Sequence, residues 1–207
     1  MRRSVASLFI VSAPSGAGKT SVVRAALSAE PAIRHSVSCT TRPPRPGEVS
    51  GSDYFFVSES EFECMAAAGE FLEEAMVHGN RYGTPRDQIE RSVAAGRDIV
   101  LEIDWQGAAA IRRLVPSAVS VFILPPSLAA LAERLQLRRQ DDAGVIALRL
   151  AVARDEIAHV SDFDYVIMND EFERAVQDVL AIIRAERLKR APQLSRYAGL
   201  LKKLQSG

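Results

Sequence analysis

The chain has 207 residues, of which 47% are hydrophobic and 25% charged. That is the balance of a soluble globular protein with a real core and not of a disordered tail. Lys plus Arg and Asp plus Glu both number 26, so bulk charge points to neither a nucleic-acid nor a membrane-surface binder, and any anion site must be local.

Met1-Arg2-Arg3 and the apolar run Val5 to Val11 have some features of a secretory start. The run is short, however, and leads directly into a glycine-rich turn, which favours a buried strand over residues 7–12. No stretch approaches the roughly 18 apolar residues of a membrane span. Two cysteines, Cys39 and Cys64, and three histidines give neither a disulfide framework nor a zinc-site spacing, so a reducing, cytoplasmic setting is expected.

Next comes Ala13-Pro14-Ser15-Gly16-Ala17-Gly18-Lys19-Thr20, between that strand and a helix expected over 18–29. Strand, glycine-rich turn and helix in this order form the context of a phosphate-binding loop. Gly16 and Gly18 let backbone N–H groups converge on phosphate oxygens, and the helix N-terminus adds partial positive charge. Lys19 reaches β- and γ-phosphates, and the Thr20 hydroxyl suits Mg²⁺. Ala13 stands where such loops usually begin with glycine; an alanine excludes strongly positive φ more than it excludes the loop.

Residues 34–96 break the rhythm of alternating strands and helices and are expected to form an inserted mixed α+β subdomain. Within them, Arg42-Pro43-Pro44-Arg45-Pro46 favours a polyproline-like backbone, whose repeat of three places Arg42 and Arg45 on one edge as a fork for a second phosphate. A surface proline-rich ligand fits the same residues. Ser58 with Glu61 is a capping box that predicts a helix, and Thr84-Pro85 predicts another running to about 95, with Thr84 as its N-cap.

From 97 the alternation resumes. Strands are expected at 98–103, 118–124 and 164–168, and helices near 105–114, 127–138, 144–160 and 170–190. The fold class is α/β, a parallel sheet flanked by helices, with residues 1–33 and 97–207 as its core. Glu102 and Asp104, two apart at a strand end, share a face and supply the acid expected to direct a metal beside the phosphate loop. Leu188 to Leu204 reads as an amphipathic helix docked on the body.

Taken together these motifs closely resemble guanylate kinase over about residues 7–190. The resemblance is carried by the phosphate loop, Ser38-Cys39-Thr40-Thr41-Arg42-Pro43-Pro44-Arg45, Gly47-Glu48, Gly51, Asp53-Tyr54, Gly79 to Thr84, Ile103-Asp104-Trp105-Gln106-Gly107 and Val166 to Asp170. It implies phosphoryl transfer from ATP to GMP, and to dGMP, with Mg²⁺ held by Thr20 and, through water, Glu102. It also implies that Arg42, Arg45, Tyr54 and Tyr82 hold the GMP phosphate. Glu73 and Thr84, with Ser38 and Asp104 nearby, would read the base, because guanine offers N1–H and N2–H₂ donors beside an O6 acceptor. Asn169 falls on the ATP side.

Arg134, Arg138 and Arg149 would serve the transferring phosphoryl from a lid over about 134–149, where Leu137-Arg138-Arg139 replaces the glycines usual in the family. Peptide-binding scaffolds of the same family have lost phosphate-loop residues that this chain keeps. Neither a nucleic acid nor a membrane partner is expected, and the sequence leaves monomer and homo-oligomer both open.

Overall fold

The computed structural model describes residues 6–77, 79–137 and 143–206. In chain order the elements are β1 (Leu8–Ser12), α1 (Lys19–Ala29), β2 (Arg34–Ser36), β3 (Cys39–Thr40), β4 (Phe55–Phe56), α2 (Glu59–Ala67), β5 (Phe71–Val77), β6 (Asn80–Pro85) and α3 (Arg86–Ala94). They continue with β7 (Ile99–Glu102), α4 (Trp105–Leu114), β8 (Val119–Leu124), α5 (Leu128–Leu137), α6 (Ala143–Ala158), β9 (Tyr165–Met168), α7 (Phe172–Leu188), α8 (Arg190–Arg196) and α9 (Ala198–Gln205).

Five parallel strands form the central sheet in the order β2-β7-β1-β8-β9. Alternation along β1 divides its side chains between two layers. Phe9 and Val11 pack with Val22, Val23 and Ala26 of α1 and with Val176, Val179 and Ile183 of α7. Leu8 and Ile10 pack on the other face with Ile89 of α3 and Ala108 and Ile111 of α4. Ile10 and Ile111 are fully buried, and burial of that kind stabilises by roughly 1.5–3 kcal/mol per side chain. With both faces covered, the strands read as apolar runs without polar alternation.

A second sheet, β4-β3-β6-β5, lies within the inserted segment and packs over Phe62 and Phe71. The Ser58–Glu61 capping box forms as expected at the start of α2. Two boundaries differ from the sequence reading. Arg34–Ser36, expected in the insertion, is the edge strand of the central sheet, paired with β7. Thr84 does not cap α3: the N-cap position is Pro85, and Thr84 belongs to β6.

Helices α5 and α6, which carry most of the segment expected to form a lid, share a small core of Leu131, Leu135 and Ala153. Arg138, expected in the lid, lies outside the described residues. The C-terminal stretch is not one docked helix. It is broken into α8 and α9, neither of which buries a residue, and Leu188, Leu194, Leu200 and Leu204 are exposed. No helix among the described residues is long and apolar enough to cross a membrane.

Candidate active site

The loop between β1 and α1 stands at the C-terminal end of the central strand, with β7 on one side and β8 on the other. In open parallel sheets this is the crevice where ligands bind. Gly18 caps α1 at φ 93°. A Cβ there would also meet the Asn169 amide nitrogen at 2.6 Å, so position 18 admits glycine on both counts. Asn169 Nδ2 donates to the Ala17 carbonyl at 2.7 Å and braces the loop from behind, joined there by Arg134, which donates to the carbonyls of Ala17 and Asn169.

Lys19 donates to the Ile103 carbonyl at 3.2 Å. Burial pushes its pKa down, against the opposing pull of Glu102, Asp104 and Glu156. A cation so enclosed by carboxylates, at the root of a glycine-rich loop, is placed to neutralise phosphate charge.

One cavity of about 200 Å³ joins the loop to the inserted sheet. Its walls include Ser15, Lys19 and Thr20 on one side and Ser38, Arg45, Tyr54, Glu73 and Tyr82 on the other, with Glu102, Asp104 and Arg149 between. Ala13, Pro14, Gly16 and Gly18 also line it. Ala17 is buried behind them and donates its N–H to the Pro14 carbonyl at 3.0 Å.

Glu73 is 9% exposed and accepts from the Thr84 hydroxyl at 2.5 Å. Burial raises its pKa to about 7, the Thr84 hydrogen bond opposing and Asp104 and Glu74 adding to the rise. Gly107 makes room for this carboxylate, since a Cβ at that position would lie 2.8 Å from Glu73 Oε2. Asp104 caps α4, accepting from the Gly107 N–H at 2.9 Å. Tyr54 and Tyr82 meet edge to face at 5.8 Å, and burial pushes the Tyr54 phenol up to about 12, so it remains a hydroxyl donor at neutral pH.

Arg42 and Arg45 do not act as a symmetrical fork here. Arg45 lines the cavity, whereas Arg42 stands behind it, donating to Glu48 at 2.8 and 3.0 Å and to the Tyr82 hydroxyl at 3.3 Å. Burial pushes Glu48 up, but hydrogen bonds from Arg42 and the Arg45 N–H hold its carboxyl below the usual range. Arg134 likewise faces a separate hollow on the outer flank of the loop, with Asn169. Arg149 does reach the cavity, donating to the Ser15 hydroxyl at 3.3 Å.

Glu102 lies across from Thr20. His35 Nε2 is 3.1 Å from Glu102 Oε1, an ion-pair distance, yet the two are not aligned as a hydrogen bond and both atoms lack a hydrogen-bonding partner. Burial pushes the Glu102 carboxyl up, but His35, Lys19 and the Thr20 hydroxyl outweigh this and hold it below the usual range. Glu102 is thus an anion with an unfilled acceptor. Among the described residues no group of three or more His, Cys, Asp or Glu could hold a metal by itself. One hydroxyl and one carboxylate suit a hard cation such as Mg²⁺, which keeps several waters and takes its remaining ligands from phosphates.

Sequence reasoning missed Glu156 of α6, which accepts from the Ser15 N–H at 3.0 Å, and His159, which stacks on the Trp105 ring at 3.6 Å. The one signal for Glu156 was its spacing of seven from Arg149, which puts both on the same side of a helix.

The sequence profile of the guanylate kinase family matches residues 5–186. The chain belongs to the guanylate kinase family. A guanylate kinase of Coxiella burnetii is 55% identical over 199 residues, covering 96% of this chain and 97% of that protein. One of Thiobacillus denitrificans is 56% identical over 193 residues, covering 93% and 92%. The crystal structure of guanylate kinase from Anaplasma phagocytophilum shares the fold at a TM-score of 0.78 and 38% identity, over 92% of this chain and 90% of that one.

Proposed function

We propose that the chain transfers the γ-phosphoryl group of ATP to GMP, yielding ADP and GDP, and that the residues lining the cavity divide between the two nucleotides. The observation that carries this reading is the single cavity in which Lys19 and Thr20 of the phosphate loop face Glu73 of the inserted sheet, with Thr84 fully buried behind that carboxylate and donating to it.

Phosphoryl transfer demands little covalent help from the protein; positioning and charge stabilisation carry it. ATP takes the loop from Ala13 to Thr20, with Asn169 behind it. GMP lies against the second sheet. Its phosphate meets Arg45 and the hydroxyls of Tyr54 and Tyr82, and Arg42 turns to it from Glu48. Its base meets Glu73, whose carboxylate accepts from the guanine donors, with Thr84, Ser38 and Asp104 completing the contact. Adenine lacks a donor pair in that position, so the side of the buried carboxylate that Thr84 does not satisfy would be left unpaired.

Thr20, and Glu102 through water, are the residues that would hold Mg²⁺, whose charge offsets that of the phosphate oxygens. Lys19 and Arg149 stabilise the charge that grows on the transferring group. Arg134 and Arg138 join them once the lid formed by α5 and α6 closes and excludes water. The acceptor class includes dGMP, since the residues assigned here address the base and phosphate. The buried Cys39 thiol, pushed up to about 11 by burial with Glu70 adding to the rise, and the free Cys64 suit a reducing cytoplasm.

The test is to incubate the chain with ATP, GMP and Mg²⁺ and separate the nucleotides. GDP and ADP should appear in equal amounts and only when all three are present. ATP consumption without GDP formation would overturn the assignment.

A further inference from the structure

Glu156 is the buried acid on α6, and the transfer scheme leaves it without a task. It is 8% exposed, although helix carboxylates ordinarily face solvent, and its Oε2 accepts from the backbone N–H of Ser15 at 3.0 Å. Ser15 is part of the phosphate loop, whose converging N–H groups suit an anionic ligand. Its neighbour Ala17 donates its N–H within the loop, to the Pro14 carbonyl. The Ser15 N–H is instead held by a carboxylate from another part of the fold, in the cavity that contains Lys19.

A carboxylate oxygen and a phosphate oxygen are the same kind of acceptor for such a donor. We propose that Glu156 is an intramolecular phosphate surrogate: its carboxylate occupies the Ser15 N–H when the loop is free of nucleotide, and a phosphate oxygen of ATP displaces it. The inference rests on the phosphate-loop reading above and adds a residue that sets nucleotide affinity.

Three features fit an exchange of this kind. The first is that one N–H faces one acceptor: the Ser15 N–H now held by Glu156 cannot also be given in full to a phosphate oxygen, and the two anions would repel at that point. The second is how weakly the carboxylate is held. Burial pushes the Glu156 carboxyl above its ordinary range even though the Ser15 N–H, Lys19 and Arg149 favour the anion, with Asp104 adding to the rise. The third is the helix itself. Arg149 lies two turns earlier on the same side and donates to the Ser15 hydroxyl, so the helix that presents the displaced anion also presents a cation to the incoming one. His159, just beyond Glu156, stays stacked on Trp105, so the carboxylate can withdraw by rotation of its side chain while the helix end remains anchored.

A nucleotide that must displace an internal competitor binds more weakly in proportion to the time the competitor occupies the donor. Removing the charge while keeping the shape should therefore strengthen nucleotide binding. The experiment is calorimetric titration of wild type, Glu156→Gln and Lys19→Ala with ATP and Mg²⁺ in the absence of GMP, and separately with GMP alone. Glu156→Gln should bind ATP roughly fivefold or more tightly than wild type, with GMP affinity within about twofold.

A supporting brace for the loop would behave oppositely: ATP affinity unchanged or weaker in Glu156→Gln overturns the proposal. If that variant is unstable, Glu156→Asp, one methylene shorter and unable to reach Ser15, must also bind ATP more tightly than wild type, and failure to do so overturns it equally. The underlying reading fails differently, by wild type not binding ATP or by Lys19→Ala binding it as well as wild type does.

Discussion

Glu73→Gln should make the protein more stable and a worse enzyme. Glu73 is buried against Thr84 and Gly107, and its carboxyl titrates at about 7 in the folded chain against 4.5 when exposed. Between those values the folded state binds more protons than the unfolded state. Stability therefore falls as pH rises from about 4.5 to about 7, and the loss is complete above that. At 1.36 kcal/mol per pH unit the loss amounts to about 3 kcal/mol as an upper value.

Glutamine carries no charge to desolvate and still accepts from Thr84, so at pH 8 the variant should melt several degrees above wild type, a difference that vanishes near pH 4.5. For GMP the effect is reversed. The amide loses a charge-assisted acceptor and turns a donor toward guanine donors, which should lower kcat/KM for GMP roughly 10²-fold and leave the KM for ATP unchanged. In wild type the KM for GMP should improve as pH rises through about 7, and in the variant this dependence should be absent. Melting curves across pH and a coupled assay of ADP release provide both readings. Unchanged GMP kinetics, or a variant less stable than wild type at pH 8, would refute the reasoning.

Lys19→Ala should lower kcat at least roughly 10²-fold in steady-state assays with little change in melting temperature, if its charge acts on the transferring phosphoryl as proposed. Gly107→Ala sets a Cβ 2.8 Å from Glu73 Oε2 and should raise the KM for GMP about tenfold or more, with ATP unaffected and the helix no less stable, since alanine is the better helix former. Arg149→Ala should reduce kcat roughly 10²-fold or more with a smaller change in the KM for GMP, as the kinetic parameters resolved for each substrate will show.

The core was legible because its signals are local and strong. Buried parallel strands announce themselves as apolar runs, and β1, β7, β8 and β9 lie within a residue of where those runs place them. The phosphate loop compresses its chemistry into eight consecutive residues. The β2 strand was assigned to the insertion because Arg34-His35-Ser36 is short, polar and at a sheet edge, with no periodicity to read. The C-terminal stretch has helical spacing yet buries no residue of α8 or α9 against the described residues, and spacing alone cannot report whether a face is covered. Thr84 looked like a cap because it precedes a proline; its partner Glu73 is eleven residues away across a hairpin, a relation that only the pairing of β5 with β6 creates. Glu156 was hidden for the same reason at longer range, since an acid on a helix looks solvated until the loop it touches, 141 residues earlier, is folded beside it.

In the proposed reaction, one cavity matches a phosphate loop to a carboxylate that reads guanine. This match is tested most directly by measuring kcat/KM of the wild-type chain for GMP, AMP, UMP and CMP as acceptors, with ATP as donor, by coupled detection of ADP. GMP should exceed AMP by roughly 10⁴-fold, because a buried carboxylate facing a base that lacks the guanine donors, with Thr84 satisfying one oxygen alone, costs that much discrimination. Comparable turnover of AMP and GMP would contradict the account.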